Sequence, residues 1–301
     1  MKRRLSLTVA ALLLVSGLSA CSSTGQASPT GTGTAAAGRP VTVTVGVTDA
    51  SKDYWKPFVE QDAKQGITVK LQNFTDYQQL NPIVSHGDLE LNQFQHLLFL
   101  ANYDVSAKAD LVPIGATAIY ALGLYTSKGY ASPADIPQGG EVAIPNDPTN
   151  QARALLVLQS AHLVALKDGG NALSTPADVL PGSKVKVVPV DANQTAVQLK
   201  SLDAAIINNN FAYDAKIDPT TAIYSDLKDP SAADPYINVW VARKADADNP
   251  VYQKLIAIYH DKAVTDELLK ENGGTALISD KSPAELQQIL SGLEDLVRKS
   301  S

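Results

Sequence analysis

The sequence predicts an α/β fold, because segments with strand character and segments with helical character alternate along the chain. Between residues 41 and 102, three apolar or alternating segments each precede a helical one. Two long apolar segments, 111–127 and 236–243, interrupt this order, and the first is too long for one ordinary strand. We therefore expect a mostly parallel sheet with helices on both faces, and a chain that crosses between two lobes at these two segments.

The first elements follow from local patterns. "VTVTVGV", residues 41–47, alternates apolar residues with threonine and predicts a strand. "DYWKPFVEQDAKQG" is typical of a helix that ends at Gly66, because glycine is favoured just after a helix. "ITVKLQNF", residues 67–74, alternates again and predicts the second strand. We then expect a helical stretch interrupted at Pro82, followed by a strand and a helix within residues 88–102.

The second half of the chain continues in the same way. "EVAIPND" predicts a strand and a turn, and a helix is expected over 148–167. "KVKVVPV" predicts a strand, 193–201 a helix, and "AAIINNN" another strand. Residues 249–298 are expected to be mainly helical. Their last helix begins with Ser282 as the N-cap and Pro283 at the first helical position.

The first forty residues have the composition of an export signal and a tether. "MKRR" is a basic start, "LSLTVAALLLVSGL" is an apolar core too short for a comfortable membrane span, and "LSAC" ends at the only cysteine. These features resemble a bacterial lipobox. They imply that residues 1–20 are a lipoprotein signal peptide that is removed and that Cys21 carries lipid such as palmitate. Residues 21–40 are small, polar and rich in Gly and Pro, and are expected to form a flexible tether.

Composition and motifs exclude several classes of function. The formal net charge is −6 and no basic residues cluster, so we expect no nucleic-acid partner. There is no G-x-S-x-G, Walker A, H-E-x-x-H or C-x-x-C motif, and we expect no enzymatic activity. We expect no cofactor and no metal, because the spacing of the four histidines is not that of metal ligands: His86, His96, His162 and His260.

The stretch "AIPNDPTNQAR" predicts an anion site. Asp147 is a plausible N-cap with Pro148 at the first helical position, and Thr149, Asn150 and Arg153 share one face of the helix. The helix dipole disfavours a cation near the start of a helix, unless that cation meets an anion. Free backbone amides and a guanidinium at the carboxyl end of a strand suit a carboxylate. A solvated surface arginine is the alternative that spacing alone leaves open.

Five ordered motifs resemble one family. They are "FTDYQQ" (74–79), "NQFQH" (92–96), "IPNDPTN" with an arginine three residues on, "LDAAIINNNFAYDA" (202–215) and "DPYINV" (234–239). Together they look like the NlpA-type methionine-binding lipoprotein family, the substrate-binding component of a methionine importer of the ATP-binding cassette (ABC) class. The resemblance covers about residues 41–298.

The resemblance implies a fold with two lobes. This is the α/β periplasmic-binding-protein-like fold, with two crossing strands and a ligand cleft between the lobes, and it agrees with the crossings expected at 111–127 and 236–243. Residues 41–118 and 236–301 would form lobe 1, and residues 119–235 would form lobe 2.

The family's binding residues carry over one by one. The matching positions are Tyr77, Phe94, His96, Arg153, Asn208 and Asn238. By resemblance Arg153 holds the ligand's carboxylate, the other polar side chains position its amino and carboxylate groups, and the aromatic rings surround a thioether. We expect Arg153 to be unpaired in the open cleft, so that its removal changes stability little. If Arg153 does not hold the carboxylate, Arg243 or Lys128 near the crossings could.

One position departs from the family. Many relatives read "FQHKPYL", whereas this chain reads "FQHLLFL", so at this position, which the resemblance implies contacts the ligand, Phe99 stands in place of a tyrosine and its hydroxyl is absent. This leaves open a preference for another small apolar amino acid or a Met-containing dipeptide. Alone, each aromatic residue could equally belong to the core.

The resemblance implies a lipid-anchored solute-binding protein on the extracytoplasmic face of the cell membrane. It would capture a small-molecule ligand, methionine above all, and deliver it to an ABC permease/ATPase complex. The rival class is a surface lipoprotein with an adhesive or structural role. Asn238 separates the two, because an amide inside an apolar strand is costly unless a partner such as a ligand meets it.

Overall fold

The computed structural model describes residues 41–228 and 233–300. The predicted signal peptide (1–20), the lipidation site Cys21 and the whole of the predicted tether (21–40) lie outside the described residues. The described residues form one compact unit. In the described part of the chain, no helix is both long enough and apolar enough to cross a membrane.

The elements alternate as the sequence predicts. The strands are β1 (Val41–Val47), β2 (Ile67–Asn73), β3 (Leu91–His96), β4 (Leu111–Ala116), β5 (Ala118–Tyr120), β6 (Gly123–Tyr125), β7 (Gly140–Pro145), β8 (Val185–Val190), β9 (Ala204–Ile207), β10 (Tyr224–Ser225), β11 (Asn238–Arg243) and β12 (Ala276–Ile278). The α-helices are α1 (Trp55–Lys64), α2 (Leu80–His86), α3 (Leu97–Ala107), α4 (Pro148–Ser160), α5 (Thr195–Gln198), α6 (Asn209–Asp214), α7 (Pro250–Tyr259), α8 (Lys262–Glu271) and α9 (Pro283–Ser300).

Two five-stranded sheets organise the molecule. The first has the order β2-β1-β3-β11-β4, with β1 parallel to β2 and β3, and with β11 antiparallel to both of its neighbours. The second has the order β10-β6-β9-β7-β8, with β7 parallel to β8 and β9. Each sheet is therefore mixed, with a parallel part and an antiparallel part. The two sheets are the two α/β halves of a periplasmic-binding-protein-like fold.

The long apolar segment 111–127 connects the two sheets. It divides into β4 in the first sheet, β5 paired with β12, and β6 in the second sheet. The second apolar segment, 236–243, supplies β11, which re-enters the first sheet between β3 and β4. Both segments predicted as crossings thus lie at the connections between the sheets.

Aromatic packing fills the core of the first sheet. Trp55 and Phe58 on α1 pack against Trp240 of β11, with the ring centroids of Phe58 and Trp240 5.6 Å apart. The ring of Tyr259 on α7 contacts all three of these rings. Because Trp55, Phe58 and Asp62 are the buried residues of α1, the same apolar face also carries a carboxylate into the core.

Two predicted helices differ in extent. Pro82 lies inside α2, not at a break, because it is the third helical residue, where a backbone N–H has no intrahelical partner. The helix predicted over 148–167 ends at Ser160, since His162 adopts a left-handed conformation with φ of 59°. The helix predicted over 193–201 is reduced to a 3-10 turn followed by α5.

Candidate ligand-binding site

A cavity lies between residues of the two sheets, where strands of each sheet end and helices begin. It has an empty volume of about 600 Å³, its open side included. All seven residues predicted to contact a ligand line it: Tyr77, Phe94, His96, Phe99, Arg153, Asn208 and Asn238. The structure therefore brings together side chains that the sequence separates by up to 161 positions.

The start of α4 forms one wall of this cavity. β7 ends at Pro145, and the Asp147 carboxylate caps the helix by accepting from the backbone N–H of Asn150 at 2.9 Å. Pro148 is the first helical residue, as predicted. Asp147 also accepts from the Asn150 amide at 3.1 Å, which fixes that side chain at the cavity wall. Burial raises the pKa of Asp147, and its hydrogen-bond donors oppose this effect.

Arg153 lies on the same helix and is 5% exposed. Its Nε donates to Asp226 Oδ2 at 2.7 Å, and its Nη2 donates to the backbone carbonyl of Tyr120 at 2.8 Å. The guanidinium carbon lies 4.3 Å from the centre of the Tyr236 ring. The expectation that Arg153 is an unpaired charge in an open cleft is therefore wrong. Among the described residues Nη1 has no hydrogen-bond partner, which leaves one edge of the guanidinium for a ligand.

His96 is held neutral at the end of β3. Its Nδ1 accepts from the backbone N–H of Phe99 at 3.1 Å and thereby caps α3. Burial, together with the nearby charge of Arg153, lowers the pKa of His96 to about 3. Because Nδ1 is the acceptor, Nε2 carries the proton. Within the described chain Nε2 is buried without a hydrogen-bond partner.

Asparagine side chains supply further polar groups. Asn208 donates to Asn150 Oδ1 at 2.9 Å, and its own Oδ1 is buried without a partner among the described residues. Asn210 accepts from the Tyr77 hydroxyl, and its Nδ2 is likewise unpartnered. Asn238 is the first residue of β11 and donates a long bond of 3.3 Å to the backbone carbonyl two residues earlier. A buried polar atom without a hydrogen-bond partner lowers the stability of the protein, unless a ligand forms the missing hydrogen bond.

Aromatic rings form another part of the cavity wall. The rings of Tyr77, Phe94 and Phe99 have centroids 5.6–6.1 Å apart, and Tyr77 also stacks on Phe211 at 5.0 Å. Tyr77 and Phe99 contact each other edge to face. The wall is therefore apolar and suits an uncharged side chain, including a thioether.

Several residues in the cavity or next to it were not predicted from the sequence to contact a ligand. Asn150 is predicted only as part of the helix face that carries Arg153. Asn210 belongs to the run "NNN", which indicates a turn but does not distinguish between its three asparagines. Asp226 lies 73 positions from Arg153, and no local pattern connects them. Arg243, the alternative carboxylate partner, is bound to Asp246 and to backbone carbonyls outside the cavity. Lys128 does not line the cavity either.

A profile of the NlpA lipoprotein family matches residues 43–279. This chain belongs to the NlpA lipoprotein family. The matched range includes every residue that lines the cavity. In the described residues, no group of three or more His, Cys, Asp or Glu side chains is arranged to hold a metal ion.

Individual relatives of this NlpA lipoprotein are similar over most of their length. The D-methionine-binding lipoprotein MetQ of Yersinia pestis is 36% identical over 216 residues, which cover 70% of this chain and 78% of the relative. The substrate binding protein of a methionine transporter from Streptococcus pneumoniae has a TM-score of 0.74 and 34% identity, covering 79% of this chain and 95% of that one. A nutrient binding protein from Burkholderia cenocepacia bound to methionine has a TM-score of 0.71 and 34% identity, covering 79% and 99%.

Proposed function

We propose that this chain is the solute-binding protein of an ABC importer and that it captures methionine in the cavity between the sheets. The observation that carries the proposal is the convergence of seven side chains on one cavity, with a guanidinium on one wall and aromatic rings on another. The relatives named for methionine binding support the choice of ligand.

The cavity offers a chemically distinct place to each end of an amino acid. The ligand's carboxylate docks on the free edge of Arg153 and beside Asn150 at the start of α4, where the dipole favours an anion. The Nε2 of His96 and the amide of Asn208 meet the remaining polar atoms of the backbone. The thioether lies among the rings of Tyr77 and Phe94, where sulfur packs well against aromatic edges.

The two lobes close around the ligand. We assign residues 41–118 and 236–301 to lobe 1 and residues 119–235 to lobe 2. The sheet pairing supports this division, because β1–β4 and β11 share one sheet and β6–β10 share the other. The side chains that line the cavity come from elements of both sheets, so a ligand would be enclosed only when the lobes approach.

The protein delivers its ligand to a permease/ATPase complex and makes or breaks no covalent bond. Lipid on Cys21 holds it at the extracytoplasmic face of the cell membrane, and residues 21–40 connect the lipid to the folded part.

We expect Cys21→Ala to yield unprocessed or soluble protein. The measurement is membrane partitioning together with mass spectrometry of the mature N-terminus. A mutant that partitions and is processed like the wild type would refute lipidation at this residue.

The ligand is best identified directly. Protein freshly purified without added ligand is denatured, and the released small molecules are identified by mass spectrometry. Released methionine, or calorimetric binding of methionine to ligand-stripped protein, supports the proposal. Release of another small apolar amino acid or of a Met-containing dipeptide would keep the transport role and change the ligand. If nothing is released and the stripped protein binds none of these, an adhesive or structural lipoprotein is the better description.

A further inference from the structure

The described residues that line the cavity carry one positive and one negative charge. Arg153 is the cation, and Asp49 is the anion. His96, the other lining residue able to carry a positive charge, is neutral at physiological pH because its pKa is about 3. A free amino acid is a zwitterion with one charge of each sign, so the cavity matches it in charge as well as in polarity.

Both charges are supported from outside the cavity. Arg153 is paired with Asp226 at 2.7 Å, and Asp49 has Lys52 Nζ at 4.0 Å. Neither partner lines the cavity. Lys52 is 2% exposed, and its ammonium lies over the rings of Tyr120 and Tyr213 at 5.6 and 5.3 Å. At 4.0 Å from Asp49, outside hydrogen-bond distance, this lysine offsets the carboxylate less closely than Asp226 offsets Arg153.

The carboxylate of Asp49 is held in one orientation. It follows β1 by two residues, at the carboxyl end of a parallel strand. Its Oδ2 accepts from the Tyr54 hydroxyl at 2.9 Å, and its Oδ1 accepts from Trp55 Nε1 at 3.1 Å. Each oxygen keeps a further lone pair, and 12% of the side chain stays exposed. A fixed anion with free acceptor capacity on a cavity wall is suited to a ligand's cation.

We propose that Asp49 accepts the primary ammonium group of the ligand and so selects amino acids over carboxylic acids that lack an amine. This inference rests on the proposed function and names the residue that recognises the ligand's positive end. The same carboxylate would meet the amino terminus of a Met-containing dipeptide, since both present a primary ammonium beside an apolar chain.

The test pairs ligands that differ only in the ammonium group. L-Methionine is compared with 4-(methylthio)butanoate, and glycyl-L-methionine with N-acetyl-L-methionine, by calorimetry on ligand-stripped protein. Asp49→Asn keeps the shape and an acceptor but loses the charge. We expect this variant to bind the ammonium-bearing ligand of the pair with an affinity about tenfold or more below that of the wild type. Its affinity for the paired ligand without the ammonium should fall by less than about threefold. Equal losses for both ligands, or no loss, would overturn the proposal.

Glu271→Gln is the matched control. Glu271 accepts from the backbone N–H of Asp53 at 2.6 Å and thus supports the loop that carries Asp49, but it does not line the cavity. We expect the control to leave the ratio between paired ligands within about threefold. If the affinity ratio falls as far in Glu271→Gln as in Asp49→Asn, any charge near this loop favours the ammonium group. That result would overturn the assignment to Asp49.

A second variant should change the ratio of affinities for the paired ligands in the opposite direction. This test remains possible even if Asp49→Asn does not fold. Lys52→Met removes the cation that partly offsets Asp49, so discrimination in favour of the ammonium-bearing ligand should rise by about threefold or more. An unchanged or lower ratio would contradict the proposal. Wild-type protein that binds none of these ligands would refute the proposed function itself. Wild-type binding with ratios that neither variant alters would refute only the role of Asp49.

Discussion

Arg153 carries a positive charge in the second turn of α4, where the helix dipole still disfavours a cation. Asp226 offsets part of that cost through its bond to Nε, and the Tyr120 carbonyl takes a second donor. Asp226 also accepts from the backbone N–H of Leu122 at 2.9 Å, so one carboxylate joins the arginine to the segment between the sheets. The arginine is thus pre-oriented, and a ligand does not have to order it.

We expect Arg153→Ala to weaken methionine binding by about 30-fold or more, because losing one partner of a buried charge pair typically costs 2–5 kcal/mol. The ligand-free protein should also lose about 3 kcal/mol of unfolding free energy, since Asp226 is left without its cation. Arg153→Lys should restore binding only in part, because an ammonium lacks the planar fork. Calorimetry and denaturant unfolding measure the two effects.

Arg243→Ala is the control for this arginine. It removes a guanidinium that is also paired with an aspartate, at 2.7 Å, but outside the cavity. It should lower stability and leave methionine affinity within about threefold. If Arg153→Ala binds methionine as well as Arg243→Ala does, the ligand's carboxylate does not dock at Arg153.

Asp62 predicts a pH dependence of stability. It is 0% exposed on the core face of α1, and neither carboxylate oxygen has a hydrogen-bond partner in the described chain. Burial raises its pKa to about 7, above the unfolded value of about 3.9. Folding therefore favours the protonated form, and stability is lost as pH rises from about 4 to 7.

Asp62→Asn removes this titration. Its gain in unfolding free energy over the wild type should be about 2–4 kcal/mol larger at pH 8 than at pH 4, since one pKa unit corresponds to 1.36 kcal/mol. Urea unfolding of both proteins at the two pH values gives the comparison, in which Asp104, whose pKa burial also raises to about 7, cancels. A difference that does not change with pH would show that Asp62 is not the titrating group.

At the scale of elements, the start of α4 couples stability to binding. Asp147→Ala removes the acceptor for the Asn150 N–H and should lower the unfolding free energy by about 1–2 kcal/mol. It should also weaken methionine binding, because Asn150 and Arg153 are positioned by that turn. Asn249→Ala removes the cap of α7, which accepts from Val251 N–H at 2.9 Å, and provides a control outside the cavity.

The two caps separate a local effect from a general one. Both variants should lose similar stability by thermal unfolding, and only Asp147→Ala should lose methionine affinity in calorimetry. If both variants bind equally well, the geometry of the first turn of α4 is not important for the site.

Local patterns predict most elements well and their extents less well. Alternation predicts β1 and β2, because alternate valine and isoleucine residues of each strand lie in the core. It cannot predict that 111–127 divides among three sheets, because the division depends on pairing with strands distant in sequence. The end of α4 at Ser160 was also missed, since the left-handed His162 carries none of the usual Gly or Pro signals.

At the scale of the molecule, hydrogen bonds connect residues next to the two sheets across one edge of the cavity. The Tyr77 hydroxyl donates to Asn210, and Asn193 donates to the backbone carbonyl of Thr75 at 3.0 Å. Each pair joins a residue next to the first sheet with one next to the second. The structure therefore has the arrangement expected when a ligand cleft is closed.

We expect methionine to shift the population toward this closed form, because a ligand favours the state that offers it more contacts. Small-angle scattering of ligand-stripped protein should give a smaller radius of gyration after methionine is added. Asn193→Ala, which loses one bridging bond, should be more open before addition. An unchanged radius at saturating methionine would argue against hinge closure, provided that mass spectrometry finds no retained ligand.

The family resemblance predicts more residues of the candidate site than composition and spacing do. Spacing alone identifies the face that carries Arg153 and Asn150, whereas the resemblance supplied residues from both sheets, and their contact with ligand stays a prediction. Asp226 and Asn210 were missed, because each acts through a tertiary contact that has no local pattern. Sequence patterns describe single elements, and this cavity exists only where elements of two sheets meet.

The place of β11 has a consequence for how the chain is made. This strand lies between β3 and β4, and β4 pairs with no other strand of the first sheet. β11 is also the last of that sheet's five strands to leave the ribosome, after the whole second sheet. Pairing between such distant segments forms slowly, so we expect the first sheet to stay incomplete until about four fifths of the chain has been synthesised. If the protein is exported as we propose, this delay is useful, because a chain whose first sheet has not formed can still be threaded through a translocation channel.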